Sequence, residues 1–369
     1  MILVTGAAGH LGNVLVRELL AAGKRVRALV LPGEDRTSLA GLEVEIVEGN
    51  ILDEASLESA FASVETVFHL AALVSIEEGK ENLLYRVNVE GTKNVIRAAR
   101  QAGVRRLVYT SSIHAIERPP DGVWINEELP FDVNNPAGAY DRTKAEASLA
   151  VLQAVQEGLD AVIVCPTGVI GPHDYRRSEM GEMVLSWMRR QISFIIEGHF
   201  DFVDVRDVAR GHILAAEKGR SGQVYLLGGE RVAIDGMRML VQKAAGFMSP
   251  AIKIPISLAL FVCHFTALYY KLAHRRPRLT RYSIETLISN SFISSEKAAR
   301  ELGYRARSLS ESVADTVRWW LENRGQVQAT LRLPQAVGAV RLRQEKNFGS
   351  LGIGVIPARY RGYRKNVCE

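Results

Sequence analysis

Short apolar runs alternate with helical patterns through the first half of the chain, and this alternation restricts the fold more than any other feature. Nearly unbroken hydrophobic strands separated by helices are typical of βαβ units, in which helices cover both faces of a parallel sheet. The sequence therefore predicts an α/β fold built on a doubly wound parallel sheet. The predicted strands are Ile2–Thr5, Arg25–Val30, Val44–Val47, Thr66–His69, Arg105–Thr110 and Ala161–Val164, and the predicted helices are Leu11–Ala22, Glu54–Phe61, Asn82–Ala102 and Ala139–Glu157.

The pattern changes after about Pro166, where loops lengthen and proline and glycine become frequent. We predict a nucleotide-binding domain over residues 1–165, to which some later segments return, and a smaller, partly interleaved substrate-binding lobe over residues 166–324. Residues 325–369 show no sustained helical or strand period, so we expect a basic, disordered tail there.

The formal net charge of +5 comes from this tail. Residues 326–369 contain eight Lys and Arg against two Glu, so the rest of the chain is close to neutral, which excludes nucleic acid as the main partner. Three widely spaced cysteines argue against a disulfide framework and fit a reducing compartment. Because a strand follows Met1 at once, no signal peptide is expected, and we predict a cytoplasmic protein.

The first strand leads into a glycine-rich turn, Gly6-Ala7-Ala8-Gly9-His10-Leu11-Gly12, and a helix follows. Gly6 permits a tight turn, Gly9 lets the backbone approach a pyrophosphate, and Gly12 allows the helix to pack closely on the strand. The helix N-terminus then offers unpaired N–H groups to phosphate oxygens. Glycines alone are a weak signal, but the order of strand, turn and helix predicts a Rossmann-type site for a dinucleotide cofactor.

The second strand bears on the choice between NAD and NADP, because NAD-binding folds often place a carboxylate at its end, on the ribose hydroxyls. Here the strand ends in Leu29-Val30-Leu31, and Glu34, Asp35 and Arg36 come slightly later. The missing carboxylate permits a 2′-phosphate, which Arg36 could bind. We therefore predict NADP(H) in preference to NAD(H).

Tyr140 and Lys144 lie four residues apart in a predicted helix, so their side chains share a face. An ammonium beside a phenol favours the phenolate, which lowers the tyrosine pKa from about 10 and suits an acid or base on a reacting oxygen. Ser112 follows the strand Arg105–Thr110, at the edge where parallel strands line a ligand crevice. Its hydroxyl could hydrogen-bond a substrate carbonyl and Tyr140 together, whereas Ser111 is interpreted as a turn residue.

Six short motifs follow one another along the chain: Thr5-Gly6-x-x-Gly9-x-x-Gly12, His69-Leu70-Ala71-Ala72, Asn88-x-x-Gly91-Thr92, Tyr109-Thr110-Ser111-Ser112, Tyr140-x-x-x-Lys144 and Pro166-Thr167-Gly168-Val169-Ile170-Gly171-Pro172. Over about residues 1–325 they make the chain resemble the extended short-chain dehydrogenase/reductases. Within that superfamily the sequence looks most similar to the 3β-hydroxysteroid dehydrogenase and dihydroflavonol 4-reductase branch, including bacterial members linked to hopanoid sugar metabolism.

The resemblance implies an NAD(P)-dependent oxidoreductase that interconverts a ketone and a secondary alcohol on a lipophilic substrate, such as a steroid, flavonoid or terpenoid. It also implies three catalytic roles. Ser112 orients the substrate, Tyr140 exchanges a proton with it, and Lys144 lowers the pKa of Tyr140 and holds the nicotinamide ribose.

The resemblance further implies which residues contact the cofactor. Asn50 stands where relatives usually carry Asp near the adenine, Asn88 supports the active-site helix, and Leu31 replaces an arginine that NADP-dependent relatives often carry. The predicted contacts are Gly6, Ala8, Gly9, His10, Leu11, Gly12, Leu31, Arg36, Asn50, Ile51, Leu70, Ala71, Ala72, Asn88, Thr110, Tyr140, Lys144, Pro166, Gly168 and Val169.

Sugar-nucleotide epimerases and dehydratases share this scaffold and are the main alternative. Where they typically offer an Asn this chain has Gly168, and their diphosphate-binding Arg is replaced by Phe200. Losing an arginine from a diphosphate site would forfeit strong bidentate pairing, which favours a lipophilic substrate instead. A non-catalytic NAD(P) sensor is a second alternative, although a sensor would need no proton donor.

The apolar segment Ile254–Leu272 is followed by Arg275-Arg276-Pro277-Arg278. We interpret it first as a helix over the substrate pocket, second as an interfacial helix giving peripheral membrane contact through residues 254–278, and last as a membrane span. No cluster of His, Cys and carboxylates has metal-ligand spacing, so no metal is predicted. A homodimer through the helices Asn82–Ala102 and Ala139–Glu157 is expected by analogy with many relatives.

Overall fold

A seven-stranded sheet runs through the centre of the protein. The structure is a computed structural model and describes residues 1–75, 79–189, 191–263 and 281–323. The strands in chain order are β1 (Ile2–Thr5), β2 (Val26–Val30), β3 (Glu45–Glu48), β4 (Thr66–His69), β5 (Arg106–Thr110), β6 (Ala161–Pro166), β7 (Gly168–Ile170), β8 (Ser193–Ile196), β9 (His199–Asp204), β10 (Val224–Leu227), β11 (Glu230–Ala233) and β12 (Ala251–Ile254). The central sheet has the order β3-β2-β1-β4-β5-β6-β10, and all neighbouring strands in it are parallel. The predicted doubly wound parallel sheet is therefore confirmed.

Helices connect the strands and cover the sheet. The predicted helix Glu54–Phe61 has the bounds that the sequence indicates, and the other three predicted helices agree to within a residue at each end. The helices are His10–Ala21, Glu54–Phe61, Glu81–Tyr85, Gly91–Gln101, Ala139–Gln156, Glu179–Trp187, Val205–Lys218, Ile234–Ala244, Arg281–Ile288, Glu296–Leu302 and Leu309–Glu322, with a π-helical segment at Arg86–Glu90.

Alternate residues of the central strands enter two apolar cores on opposite faces of the sheet. Leu3 belongs to the core that includes the helix Gly91–Gln101, whereas the next residue, Val4, belongs to the core that includes the helix His10–Ala21. Successive side chains of a strand point to opposite faces, so a strand covered on both sides must be apolar at every position. This explains the unbroken hydrophobic runs in the sequence.

A third apolar core lies beside a small sheet of order β11-β9-β7, where Phe202 and Trp320 pack with the helix Ile234–Ala244. A further pair of parallel strands, β8 and β12, completes this part of the chain. All described residues belong to one compact unit, Met1–Pro334, so the division into two lobes stays a prediction. The predicted tail at 325–369 and residues 264–278 of the apolar segment lie outside the described residues.

Trp320→Ala is expected to lower the free energy of unfolding by about 3–5 kcal/mol, because the indole is 1 % exposed and its removal leaves a cavity in the third core. Leu321→Ala is the matched control, since this neighbouring side chain is 41 % exposed and its loss should cost less than about 1 kcal/mol. Urea unfolding followed by circular dichroism measures both values. Equal losses in the two variants would contradict the assignment of Trp320 to the core.

Candidate active site

The turn between β1 and the helix His10–Ala21 has no room for side chains at two of its glycines. Gly6 has a φ of +67°, and a Cβ atom there would lie 2.8 Å from the backbone nitrogen of Ala71. A Cβ atom on Gly12 would overlap the carbonyl oxygen of Gly6. Gly9 is the N-cap residue of the helix, so no capping side chain covers the helix N-terminus. The turn therefore fits a dinucleotide, whose pyrophosphate would lie against these backbone N–H groups.

The other predicted cofactor residues lie along the same edge of the sheet. A parallel sheet presents the carboxyl ends of all its strands at one edge, which is where ligands bind in such folds. Ala8, His10 and Leu11 lie in and after the glycine turn, Leu31 and Arg36 follow β2, Asn50 and Ile51 follow β3, Leu70, Ala71 and Ala72 follow β4, Thr110 ends β5, and Pro166, Gly168 and Val169 lie at the end of β6 and in β7.

The end of β2 carries a carboxylate that the sequence pattern did not indicate. Glu34 folds back so that its Oε2 accepts a hydrogen bond from the backbone nitrogen of Leu31 at 2.9 Å. Arg176 lies 2.7 Å from the same carboxylate. Arg36, the predicted 2′-phosphate ligand, forms an ion pair with Glu48 instead of standing free.

A buried histidine connects the glycine turn to the next helix. His69 Nδ1 lies 2.8 Å from the Thr5 hydroxyl, and Nε2 lies 3.0 Å from the Thr92 hydroxyl. Thr92 donates its own hydrogen to the carbonyl oxygen of Asn88 at 2.6 Å, so it must accept from His69, which places the imidazole hydrogen on Nε2. Burial, aided by the Lys144 charge, lowers the pKa of His69 to about 3, and the ring stays neutral.

Asn88 extends this connection to the helix Ala139–Gln156, which contains Tyr140. Its side chain accepts from the backbone nitrogen of Leu73 at 2.8 Å and donates to the Leu73 carbonyl oxygen at 3.0 Å. It also donates to the Thr143 hydroxyl at 3.2 Å, and Thr143 donates to the carbonyl oxygen of Tyr140 at 3.0 Å. Asn88 thus lies where it supports the active-site helix, and this role remains a prediction.

Ser112 and Tyr140 are brought together at the end of β5. The Ser112 hydroxyl accepts from the backbone nitrogen of His114 at 3.2 Å and lies close enough to the Tyr140 phenol to favour a lower pKa of that group. Burial raises the pKa of Tyr140 to about 12, although the hydrogen bond with Ser112 acts in the opposite direction. Ser111 is not a simple turn residue, because its buried hydroxyl lies 2.7 Å from that of Ser148 on the helix Ala139–Gln156.

Lys144 is buried below the same strand end. Its Nζ donates to the carbonyl oxygen of Thr110 at 2.5 Å and lies 4.5 Å from the ring centroid of Tyr109. Burial lowers the pKa of Lys144 to about 7. The pKa of Tyr140 is therefore raised in this structure, and not lowered as the sequence suggested. Removing the phenolate from water outweighs the effect of the Lys144 amine, which is itself only partly charged near neutral pH.

A polar cluster beside Tyr140 is absent from the sequence-based predictions. Asp141 is fully buried, and it accepts from the Tyr282 hydroxyl at 2.8 Å and from Arg118 at 3.2 Å. Arg118 also lies 3.1 Å from His114 Nδ1. Burial raises the pKa of Asp141 to about 6. His114 and Asp141 stand close in sequence to the predicted catalytic residues Ser112 and Tyr140, and this closeness could have indicated that they belong to the site. Tyr282 comes from a remote segment with no recognisable motif.

A small cavity is lined by Ile113 and His114, the two residues that follow Ser112, and it has both apolar and polar walls. Phe200 forms part of it, and a Cβ atom on Gly168 would lie 2.5 Å from the Phe200 ring. The ring therefore fills the space of a side chain at position 168. Among the described residues, no group of three or more His, Cys, Asp or Glu could hold a metal ion. The residues that line the cavity include Ile113, His114, Arg118, Thr167, Phe200, Asp201, Asn290 and Ile293.

The strand order and the glycine turn define a dinucleotide-binding α/β protein, and comparison with known proteins gives its family. The model of the NAD dependent epimerase/dehydratase family matches residues 2–228. The chain belongs to this family, which corresponds to the extended short-chain dehydrogenase/reductases that the motifs indicate, and it is an oxidoreductase.

Individual relatives agree with this assignment. Sterol demethylase protein B of Methylococcus capsulatus is 38% identical over 324 residues, which cover 87% of this chain and 98% of that protein. The 3-beta-hydroxysteroid dehydrogenase of Mycolicibacterium neoaurum is 30% identical over 82% of this chain and 86% of its own. A dTDP-glucose 4,6-dehydratase from Streptomyces venezuelae, solved with NAD bound, has a TM-score of 0.73 at 25% identity and covers 88% of this chain and 98% of its own.

Lys144→Met is expected to raise the melting temperature at neutral pH while removing a predicted catalytic group. The pKa of Lys144 falls from 10.5 to about 7 on burial, so between these values the unfolded chain binds more protons than the folded one. Stability of the parent should therefore rise with pH across this window. The advantage of Met should be largest below pH 7 and should shrink as the pH approaches 10.5.

Thermal melts of the parent and the variant over a pH series measure this difference. Lys243→Met, at an exposed lysine, is the matched control and should show no such dependence. A shift of equal size at every pH would mean that the buried charge is not its cause.

Proposed function

We propose that the protein interconverts a ketone and a secondary alcohol on a lipophilic substrate of the steroid, flavonoid or terpenoid kind, using Ser112, Tyr140 and Lys144. The observation that carries the proposal is that the Ser112 hydroxyl acts on the Tyr140 phenol, and that Ile113 and His114, the two residues after Ser112, line a cavity together with Phe200. Two hydroxyls that share a hydrogen bond can both face one substrate oxygen, which is the arrangement that proton exchange with a carbonyl requires.

The protonation states of these residues suit ketone reduction. With a pKa of about 12, Tyr140 is a phenol at neutral pH and can donate its proton to a forming alkoxide. Ser112 orients the carbonyl, and Lys144, fixed by the Thr110 carbonyl oxygen, is placed to hold the nicotinamide ribose. When bound, the dinucleotide supplies or accepts the hydride. Alcohol oxidation needs the phenolate of Tyr140, which a charged Lys144 would favour.

The cavity wall favours a lipophilic substrate over a sugar nucleotide. By the family resemblance, Phe200 stands where sugar-nucleotide epimerases and dehydratases carry a diphosphate-binding arginine. Its ring also fills the space above Gly168. Arg118 is the arginine among the described residues that line the cavity, and its guanidinium is already paired with Asp141. The names of the relatives, a sterol demethylase protein and a 3-beta-hydroxysteroid dehydrogenase, point to the same substrate class.

For the cofactor, the ion pairs at the end of β2 support NAD(H), against the sequence-based preference for NADP(H). Glu34 offers a carboxylate that can accept from ribose hydroxyls. Asp35 is the next residue in the chain, and Glu48 is paired with Arg36. A 2′-phosphate would meet these carboxylates, and it would have to take Arg36 from Glu48 or Arg176 from Glu34. Like charges brought together in one site disfavour binding.

Tyr140→Phe is expected to reduce the rate of hydride transfer by about 10²–10⁴-fold, because it removes the proton donor. Cofactor affinity should be unchanged, which fluorescence titration of NADH can verify. The rate is read from NADH absorbance with a panel of steroid and flavonoid ketones. Tyr85→Phe, at an exposed tyrosine, is the matched control. Full activity of Tyr140→Phe would remove Tyr140 from the proposed chemistry.

Binding titrations should show that NADH binds more tightly than NADPH, by about tenfold or more. Glu34→Gln should narrow that ratio, because it removes the carboxylate that repels the 2′-phosphate and frees Arg176. Glu58→Gln, an exposed position on the helix Glu54–Phe61, should leave the ratio unchanged. Tighter binding of NADPH by the parent would contradict the proposal and would support Arg36 as a phosphate ligand.

A further inference from the structure

An exposed apolar surface lies on β8, β12 and the helical residues that follow β12. Phe194 is 68 % exposed and Ile252 is 49 % exposed, and the two are directly paired between the parallel strands, so they point to the same side. We call the whole set the outer apolar surface. Its members among the described residues are Ile192, Phe194, Met248, Ile252, Ile256, Leu258, Leu260, Phe261 and Val262.

The helical residues 256–263 are apolar on nearly every side. Ala259 is buried, whereas Ile256, Leu258, Leu260 and Val262 are all exposed. A surface helix of a globular protein normally turns polar residues to water, and a helix that is hydrophobic all round is normally covered by protein or lipid. Contiguous exposed apolar residues of this extent mark an interaction site.

The sequence of the segment that carries β12 and the helical residues indicates which partner covers this surface. From Gly236 to Ile284 it contains eight Lys and Arg and no Asp or Glu, and four of these cations lie outside the described residues. In the structure, acids from outside the segment pair with three of the others: Asp235 with Arg238, Glu197 with Lys253 and Glu285 with Arg281. Two copies of the chain joined through this surface would bring their cations together, whereas anionic headgroups would neutralise them. Charge complementarity therefore favours an anionic bilayer over a second copy.

The outer apolar surface is directly connected to the candidate substrate cavity. β8 leads through the two residues Glu197 and Gly198 into β9, whose Phe200 lines the cavity. On the other side, the helix Arg281–Ile288 leads directly into Ser289 and Asn290, which also line it. The outer apolar surface and the cavity are therefore linked by the short connection between β8 and β9.

We propose that the outer apolar surface binds the interface of an anionic lipid bilayer and that the lipophilic substrate enters the cavity from the membrane. The second part rests on the proposed function, whereas the first does not. None of the helices in the described ranges is long and apolar enough to cross a bilayer. The proposed contact is an interfacial one, made by exposed apolar side chains. Phe194 and Leu258 would lie among the lipid headgroups and upper acyl chains.

The experiment is co-sedimentation of the full-length protein with vesicles of phosphatidylcholine alone or mixed with phosphatidylglycerol. The parent is expected to bind the mixed vesicles more tightly, and high salt should weaken that binding. Phe194→Glu and Leu258→Glu should each lower the vesicle affinity by about tenfold or more. Each change withdraws one large apolar side chain from the bilayer and adds a negative charge that the anionic headgroups repel. Leu321→Glu, another exposed leucine on a helix, is the matched control and should bind as the parent does.

Two results would overturn the proposal. One is a folded parent that binds neither kind of vesicle. The other is a parent dimer that Phe194→Glu dissociates, without vesicle binding, which would assign the surface to a second copy. Vesicle binding is measured without substrate, so it can hold even if no ketone is reduced. Conversely, Phe194→Glu could reduce a water-miscible ketone at the same rate as the parent and a vesicle-borne ketone more slowly. This result would support substrate entry from the membrane, because catalysis itself would be intact.

Discussion

A chain of hydrogen bonds holds the glycine turn and the helix Ala139–Gln156 in one fixed relation, and both parts of the candidate site depend on it. It begins at Thr5, passes through His69 to Thr92, and continues through Asn88 towards the backbone of Tyr140. A neutral imidazole has one donor and one acceptor, and because Thr92 donates to the Asn88 carbonyl oxygen, the donor nitrogen of His69 faces Thr92 and the acceptor nitrogen faces Thr5. Because burial holds the pKa of His69 at about 3, this direction is kept across the ordinary pH range.

The helix that contains Asn88 is locally widened, and the widening has a consequence for the site. Arg86–Glu90 is a π-helical segment between the helices Glu81–Tyr85 and Gly91–Gln101. Such segments are uncommon and occur frequently at functional sites. Here the segment places Asn88 so that its amide satisfies both backbone groups of Leu73 and still reaches the Thr143 hydroxyl. The Asn88 side chain alone thereby positions both the loop after β4 and the helix Ala139–Gln156.

The sequence predicted the strands β1 and β4 and the helix Glu54–Phe61 to the residue, because apolar periodicity and the need to cover both faces of a sheet are local properties of the chain. The glycine turn and the Ser112–Tyr140 pair followed from motifs. The contacts of Glu34 with Arg176 and of Asp141 with Tyr282 did not, since they join segments far apart in sequence. The upward direction of the Tyr140 pKa was also missed, because burial depends on tertiary packing rather than on the neighbouring Lys144.

The pair Gly168 and Phe200 illustrates how one scaffold can change its substrate class. The two residues lie on the neighbouring strands β7 and β9, and a side chain at 168 would collide with the Phe200 ring. Residues that share a space are not independent, so a change at either position alone is costly unless the other follows. A polar side chain at 168 would need a smaller or displaced neighbour at 200, and an arginine at 200 would leave a gap above Gly168. The shape of the cavity wall at this point is therefore a property of the pair, and neither departure from the sugar-nucleotide pattern is sufficient by itself.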